Sequence, residues 1–327
     1  MSKRFPFPIP FGWFAVAHAD ELKAAELKSL QYFGRELLLF RGESGVAATV
    51  DSYCPHLGAH LGRGRVVADH IACPFHAWEF TGEGRLAKIP YCEQMPGRAE
   101  KEAPLRAYPT VERNNMLYVW YHPHGEPPAW DVEALPQAGE GDWAQARRQE
   151  WVVKTIPQEL MENVADPIHF LYVHGTKTLP DATIRYEGRN YYSRQNADMQ
   201  TPKGIVPGSI EIQGTGPVGG WTLFSGICDT FLMSFTTPID DDHTHMRFVF
   251  YKKKVKGEIP KGGVADAIIA DIIKQFEEDT PIWEEKRYWE QPMVCAKDGP
   301  INKFRRWYSQ FYPDASPENT SPENKAG

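Results

Sequence analysis

The chain has 327 residues, more than the roughly 100–200 of a single domain, so two cores are expected. Its 42% hydrophobic and 24% charged residues exclude a disordered, collagen-like or disulfide-scaffold protein. With 36 Lys and Arg against 43 Asp and Glu the net charge is −7, which offers no basic surface to nucleic acid or anionic lipid and leaves small molecules or proteins as partners.

At the N-terminus Lys3-Arg4 precedes an apolar segment at 11–17, as in an export signal, but Pro6, Pro8 and Pro10 break its apolar length. No run reaches the roughly 18 consecutive apolar residues of a spanning helix, so no membrane span is expected. Five cysteines, an odd number without regular spacing, argue against a disulfide framework and for a reducing, cytoplasmic setting. From 14 to 121 the chain reads as short β segments, among them 37–40, 46–50 and 116–120, separated by Gly, Asn and Asp turns. That pattern predicts a small all-β domain. A Pro-rich passage at 123–136 reads as a connector. Beyond it the patterning predicts a helical stretch near 158–174, a β-rich region over 184–251 and a helix over 264–289. After Asp314 the sequence Ser-Pro-Glu-Asn occurs in a polar tail that cannot bury itself and is expected to be disordered. The expected division is therefore 1–135, 136–314 and a tail, 315–327.

Two groups of residues carry chemistry. Cys54-Pro55-His56 is followed, after sixteen residues, by Cys73-Pro74-Phe75-His76, with glycines at 58, 62 and 64 between them. Zinc could take two thiolates and two imidazoles, but C-x-H with C-x-x-H does not match the spacing of zinc fingers. It matches a Rieske [2Fe–2S] centre, where two cysteines hold one iron and two histidines the other. Neutral imidazoles in place of thiolates remove negative charge and raise the potential. Ala59 and Phe75 stand where respiratory Rieske proteins carry two further cysteines, so the sequence looks like the oxygenase or ferredoxin branch, with a potential toward the low end of about −150 mV.

The second group is Asn163-x-x-Asp166-x-x-His169-x4-His174. Five positions turn roughly 140° at about 100° per residue, so a regular helix cannot aim both histidines at one metal and must bend or end between them. Asp166 as N-cap and Pro167 in the first turn suit a helix start there. A two-histidine site still lacks its carboxylate. In the C-terminal helix Ala265, Ile268, Ile269, Phe276 and Trp283 fall within about 60° of Ile272, and Asp279 within about 20°, while Glu277 and Glu278 point at least about 120° away, into water. A carboxylate in an apolar stripe is costly unless paired or metal-bound, so Asp279 is the third ligand expected of a facial triad. Gly214-x-Gly216-x-x-Gly219 spells a dinucleotide fingerprint, but Pro217 and the strand-like 221–224 that follow predict a hairpin instead. His122 and His124 are expected to be solvated, and Cys92, Cys228 and Cys295 to be packed thiols.

The Cys/His pairs, the 163–174 motif and the late aspartate together resemble the Rieske non-haem iron oxygenases over roughly residues 10–314. The resemblance implies an α+β fold, with an N-terminal all-β Rieske [2Fe–2S] domain followed by a helix-grip catalytic domain whose antiparallel sheet cups the iron and substrate. More narrowly, 278–283, 298–301 and 305–312 look like segments of the oxygenase component of 3-ketosteroid 9α-hydroxylase and its sterol-oxidising relatives. This implies a terminal monooxygenase component that uses O2 to hydroxylate a hydrophobic, steroid-like or polycyclic small molecule. Its electrons would come from an NAD(P)H-dependent reductase and/or a ferredoxin. A Rieske O- or N-demethylase of a small aromatic, or a pure electron-transfer Rieske protein, are the alternatives. By the same resemblance Cys54, His56, Cys73 and His76 hold the cluster and His169, His174 and Asp279 hold Fe(II). Asn163 and Asp166 are the catalytic candidates. Family likeness further implies a head-to-tail homotrimer in which Asp166 hydrogen-bonds His169 of its own subunit and His76 of the next.

Overall fold

Two compact units divide the chain, one of residues 13–134 and one of 135–327 together with 1–12. The computed structural model describes residues 4–138, 141–176, 183–196, 199–201, 204–295 and 297–313; the tail expected at 315–327 lies outside them.

The first unit is almost all β. Its strands are β1 (Gly12–His18), β2 (Leu27–Tyr32), β3 (Arg35–Arg41), β4 (Ala47–Asp51), β5 (Arg65–Val67), β6 (His70–Ala72), β7 (Glu79–Phe80), β8 (Leu86–Lys88), β9 (Ala107–Tyr108), β10 (Thr110–Arg113) and β11 (Met116–Tyr121), with one short helix, α1 (Gly97–Lys101). They form three sheets, ordered β1-β11-β10, β2-β3-β4-β9 and β5-β6-β7-β8. The unbroken apolar runs of β3 and β11 are buried on both faces, as continuous rather than alternating patterns require. Leu38, Phe40, Val50, Leu61, Ile71, Phe80 and Leu105 make a core that also encloses Cys54 and Cys73.

The second unit is built on one seven-stranded antiparallel sheet. Its strands are β12 (Trp143–Val153), β13 (Thr183–Glu187), β14 (Asn190–Asn196), β17 (Ser209–Thr215), β18 (Gly219–Ser225), β19 (Thr230–Pro238) and β20 (Thr244–Lys253), ordered β12-β20-β19-β18-β17-β14-β13, with β15 (Met199–Thr201) and β16 (Gly204–Val206) as a separate hairpin. The expected helical stretch near 158–174 is broken into α2 (Pro157–Glu162), a 3-10 turn and α3 (His169–Tyr172). The long helix α4 (Val264–Glu285) packs Ile269, Ile273, Phe276 and Trp283 against Val153, Leu232, Met246, Phe248 and Phe250 of the sheet. It ends earlier than position 289 because Arg4 donates to the Trp283 and Lys286 carbonyls, satisfying groups the last turn leaves open. The N-terminal segment is thereby tied to this unit. A final helix, α5 (Ile301–Tyr308), carries Arg305, whose guanidinium forms a two-pronged pair with Glu162 of α2 at 2.6 and 2.9 Å. Lys286 reaches the fully buried Glu159 at 2.7 Å, so α2 is clamped by cations from two directions. The architecture is α+β, mostly antiparallel sheet. No described helix is long and apolar enough to cross a membrane.

Candidate metal centres and substrate cavity

The two Cys/His loops are copies of one turn. Cys54 N–H donates to the Ala59 carbonyl and Gly58 N–H to the Cys54 carbonyl, both at 2.9 Å. Cys73 N–H donates to the Trp78 carbonyl at 2.9 Å and Ala77 N–H to the Cys73 carbonyl at 3.0 Å. The residue four after each cysteine, Gly58 at φ 76° and Ala77 at φ 54°, lies in the left-handed region that closes the turn, at a steric cost to the alanine. Because the turns match, the differing offsets C-x-H and C-x-x-H still bring His56 and His76 together, with ring centroids 4.8 Å apart. Both thiols are buried, and burial pushes Cys54 up to about 11, with the neighbouring Cys73 adding to the shift. A buried thiol that resists ionisation on its own is suited to a bound metal, which draws the proton off. The donor set therefore fits a [2Fe–2S] cluster. Two residues absent from the sequence-based reading complete the site: Trp78 stacks on His56 at 4.2 Å and 5°, and its Nε1–H donates to the Tyr91 hydroxyl at 2.8 Å. Nothing in the ligand spacing marks them.

In the second unit His169, His174 and Asp279 offer three ligand atoms that all lie within 4.8 Å of one another. α3 ends at Tyr172, so His174 leaves the helix and turns back toward His169, as the five-residue spacing demanded. Each imidazole is held by its far nitrogen. His169 Nδ1 bonds the Asp166 carbonyl, and His174 Nδ1 donates to Glu278 Oε2 at 3.0 Å, leaving both Nε2 atoms to face inward. His174 Nε2 lies 3.4 Å from Asp279 Oδ2. Burial raises the Asp279 pKa even though His174, His169 and Asn163 pull it down, which leaves a carboxylate that needs a cation. Two imidazole nitrogens and one carboxylate around open space fit a mononuclear iron. Asn163 sits inside the group, its amide donating to Asp279 Oδ2 at 2.8 Å.

Elsewhere His122 is buried rather than solvated, and Cys92 and Cys295 are exposed rather than packed. Two expectations about this site change as well. Glu278 does not point into water; it is half-buried against His174, because the loop after α3 wraps the flank of α4 that the helix's own stripe leaves polar. The Asp166 side chain does not bond the His169 ring. Its Oδ1 accepts from the Ile168 and His169 backbone N–H groups at 3.1 and 3.4 Å, so within the chain the contact to the imidazole runs through the backbone carbonyl.

A cavity of about 290 Å³ opens from these ligands between the sheet and α4. Leu160, Leu232, Met246, Phe248, Ile272 and Phe276 supply apolar wall, and Ile272 is only partly buried because it faces this space. The glycine motif at 214–220 shapes the wall as a hairpin: β17 and β18 pair antiparallel across a 3-10 turn. A Cβ on Gly214 would lie 1.7 Å from the Tyr191 ring, which lines the cavity, and Gly219 adopts φ 114°.

A double turn for an iron–sulfur cluster and a two-histidine, one-carboxylate site in one chain are the parts of an iron-dependent oxygenase. Residues 12–109 match the Rieske [2Fe-2S] domain and 119–312 the 3-ketosteroid 9alpha-hydroxylase C-terminal domain. Cholesterol 7-desaturase of Caenorhabditis elegans is 31% identical over 349 residues, spanning 96% of this chain and 79% of its own. The oxygenase component of a 3-ketosteroid-9-alpha-monooxygenase from Rhodococcus rhodochrous is 29% identical, over 93% of this chain and 81% of its own. Dicamba monooxygenase bound to dicamba has the same fold, with a TM-score of 0.71 at 18% identity over 92% of this chain and 96% of that one. The chain belongs to the Rieske non-haem iron oxygenases, in the family that shares the C-terminal domain of 3-ketosteroid 9α-hydroxylase. It is an oxygenase component with a [2Fe–2S] cluster and a mononuclear iron, and takes its electrons from a reductase or ferredoxin.

Proposed function

We propose that the chain hydroxylates an uncharged, polycyclic, steroid-like molecule held beside His169, His174 and Asp279. The cavity carries this reading: it starts at three converging ligands, and its described lining contains no Lys, Arg or Glu, so a charged substrate finds no counter-ion along it. The names of the sterol and ketosteroid relatives point the same way. In this reading Cys54, His56, Cys73 and His76 hold the cluster, and His169, His174 and Asp279 hold Fe(II). An iron held by these three ligands would supply O2 activation, with the cluster as the electron source. Asn163 orients the Asp279 carboxylate, Glu278 and the Asp166 carbonyl fix the imidazoles, and the apolar walls exclude water and present a C–H bond to the site. An NAD(P)H-dependent reductase supplies the electrons. The protein works in the cytoplasm, as its cysteine usage suggests, and the functional division runs 1–135, 136–314 and 315–327, with the lead-in residues 1–12 packed on the second unit. It works as a homotrimer, with Asp166 lying between its own His169 and His76 of the next copy; family likeness supports that arrangement.

The test is product analysis of the iron-loaded protein with a heterologous reductase, O2 and a panel of steroids, terpenoids and methoxyarenes. Hydroxylated steroid and about three Fe per chain are expected. Dealkylated methoxyarene with steroids untouched would instead make it a demethylase, and about two Fe per chain an electron carrier.

A further inference from the structure

Along β14, Tyr191, Ser193 and Gln195 alternate toward the cavity, so this strand runs the length of the substrate space. Tyr191 marks the metal end. It is in register with Gly214, Gly220, Ser234 and Phe248, and Phe248 packs on Phe276, which lies three residues before Asp279, with ring centroids 5.3 Å apart. Gln195 marks the other end. Its register continues through Ile210, Phe224 and Thr230 to Lys252, which pairs with Asp266 in the first turn of α4. Four strand residues separate the two ends by about 13 Å, and the thirteen helix residues from Asp266 to Asp279 by about 20 Å.

Three polar groups nearer the metal are already committed to protein partners. Ser234 donates to the Gly220 carbonyl, Thr236 to the Pro217 carbonyl and the Gln275 amide to Asp271. Gln195 Oε1 is buried with no hydrogen-bond partner, a state that is costly unless a ligand supplies a donor. We infer that Gln195 anchors a hydroxyl at the end of the substrate remote from the metal ligands, its Oε1 accepting the hydrogen bond. The inference rests on the steroid-like reading above and narrows it to a neutral alcohol. A hydroxyl can give this oxygen the proton it lacks and also take one from the amide NH2, whereas a ketone can only take one and leaves the amide oxygen unpaired.

The experiment measures equilibrium binding to the iron-loaded protein of three probes that share a skeleton: the steroid hydrocarbon androstane, its ring-A alcohol and its ring-A ketone. The wild type should bind the alcohol at least about tenfold more tightly than the hydrocarbon or the ketone, as expected where a site built to hydrogen-bond a hydroxyl meets an analogue lacking it. Gln195→Met, close in volume and apolar, should abolish that preference while leaving hydrocarbon affinity and iron content unchanged. Gln195→Glu, which keeps an acceptor oxygen, should retain the preference for alcohol over ketone. An unchanged alcohol-to-hydrocarbon ratio in Gln195→Met, or wild-type protein that binds ketone as tightly as alcohol, overturns the anchor and leaves the steroid reading standing. Failure of the wild type to bind any of the three overturns both.

Discussion

Replacing Glu278 with alanine should loosen the mononuclear iron without touching the cluster. Glu278 Oε2 accepts the Nδ1 proton of His174 at 3.0 Å, which fixes the tautomer that leaves Nε2 free to bind metal. Its other oxygen takes Lys274 at 2.6 Å, a pair on the outer side of α4 that plays no part in orienting His174. Losing an outer carboxylate of this kind costs about 10–100-fold in metal affinity. At free Fe(II) ten times the wild-type Kd, occupancy would fall from about 0.91 to between about 0.5 and 0.09, taking total iron from about 2.9 to between about 2.5 and 2.1 per chain. Anaerobic Fe(II) titration with metal analysis measures this, and the visible spectrum of the cluster counts folded protein in the same sample. Glu278→Gln keeps an acceptor for Nδ1 and should lose less; Glu277→Ala, on the exposed face, should lose nothing. Wild-type Fe(II) affinity in Glu278→Ala would refute the role given to this contact.

Asp279→Ala should lose the mononuclear iron and all oxygenation yet keep the cluster spectrum; about three Fe per chain in that variant would place the ligand elsewhere. Cys54→Ser or His76→Ala should remove the visible absorption of the cluster and leave the second site loadable, since the two share no ligand; a surviving spectrum would unseat those ligands. Asp166→Asn can still cap the turn at Ile168 and His169, so both sites should load while single-turnover reoxidation of the cluster slows. Reoxidation at the wild-type rate would speak against a bridging role. Glu162→Ala strands the largely buried Arg305 and should cost about 3–5 kcal/mol in urea unfolding; a loss below about 1 kcal/mol would mean water replaces the carboxylate.

The two Cys/His pairs were legible because they are local: each lies in one tight turn, and a turn's geometry is written in a few neighbouring residues. The break between His169 and His174 was legible for the same reason, since five residues of helix rotate by an amount that one metal cannot accept. Asp279 could be found from periodicity because a helix carries its buried stripe in its own sequence, and the aspartate lies on it with Phe276 and Trp283. The hairpin at 214–220 followed from proline and glycine placement. Glu278 could not be found this way. Its angle on α4 says only that it avoids the sheet, while the segment that meets it comes from 104 residues earlier. Trp78 and Tyr91 are in the same position, since a stack on His56 leaves no trace in ligand spacing. Gln195 faces the cavity through a register shared by strands far apart in the chain, and its missing partner shows only once every neighbour is in place. The sequence by itself therefore determined the two groups of candidate ligands, the all-β and sheet-with-helix parts and the chemistry such groups can hold, because those depend on contacts within a turn or a few turns of helix. Only the tertiary structure decided which side chains hold the ligands in place and what shape and polarity the cavity has, because those depend on which distant segments pack together.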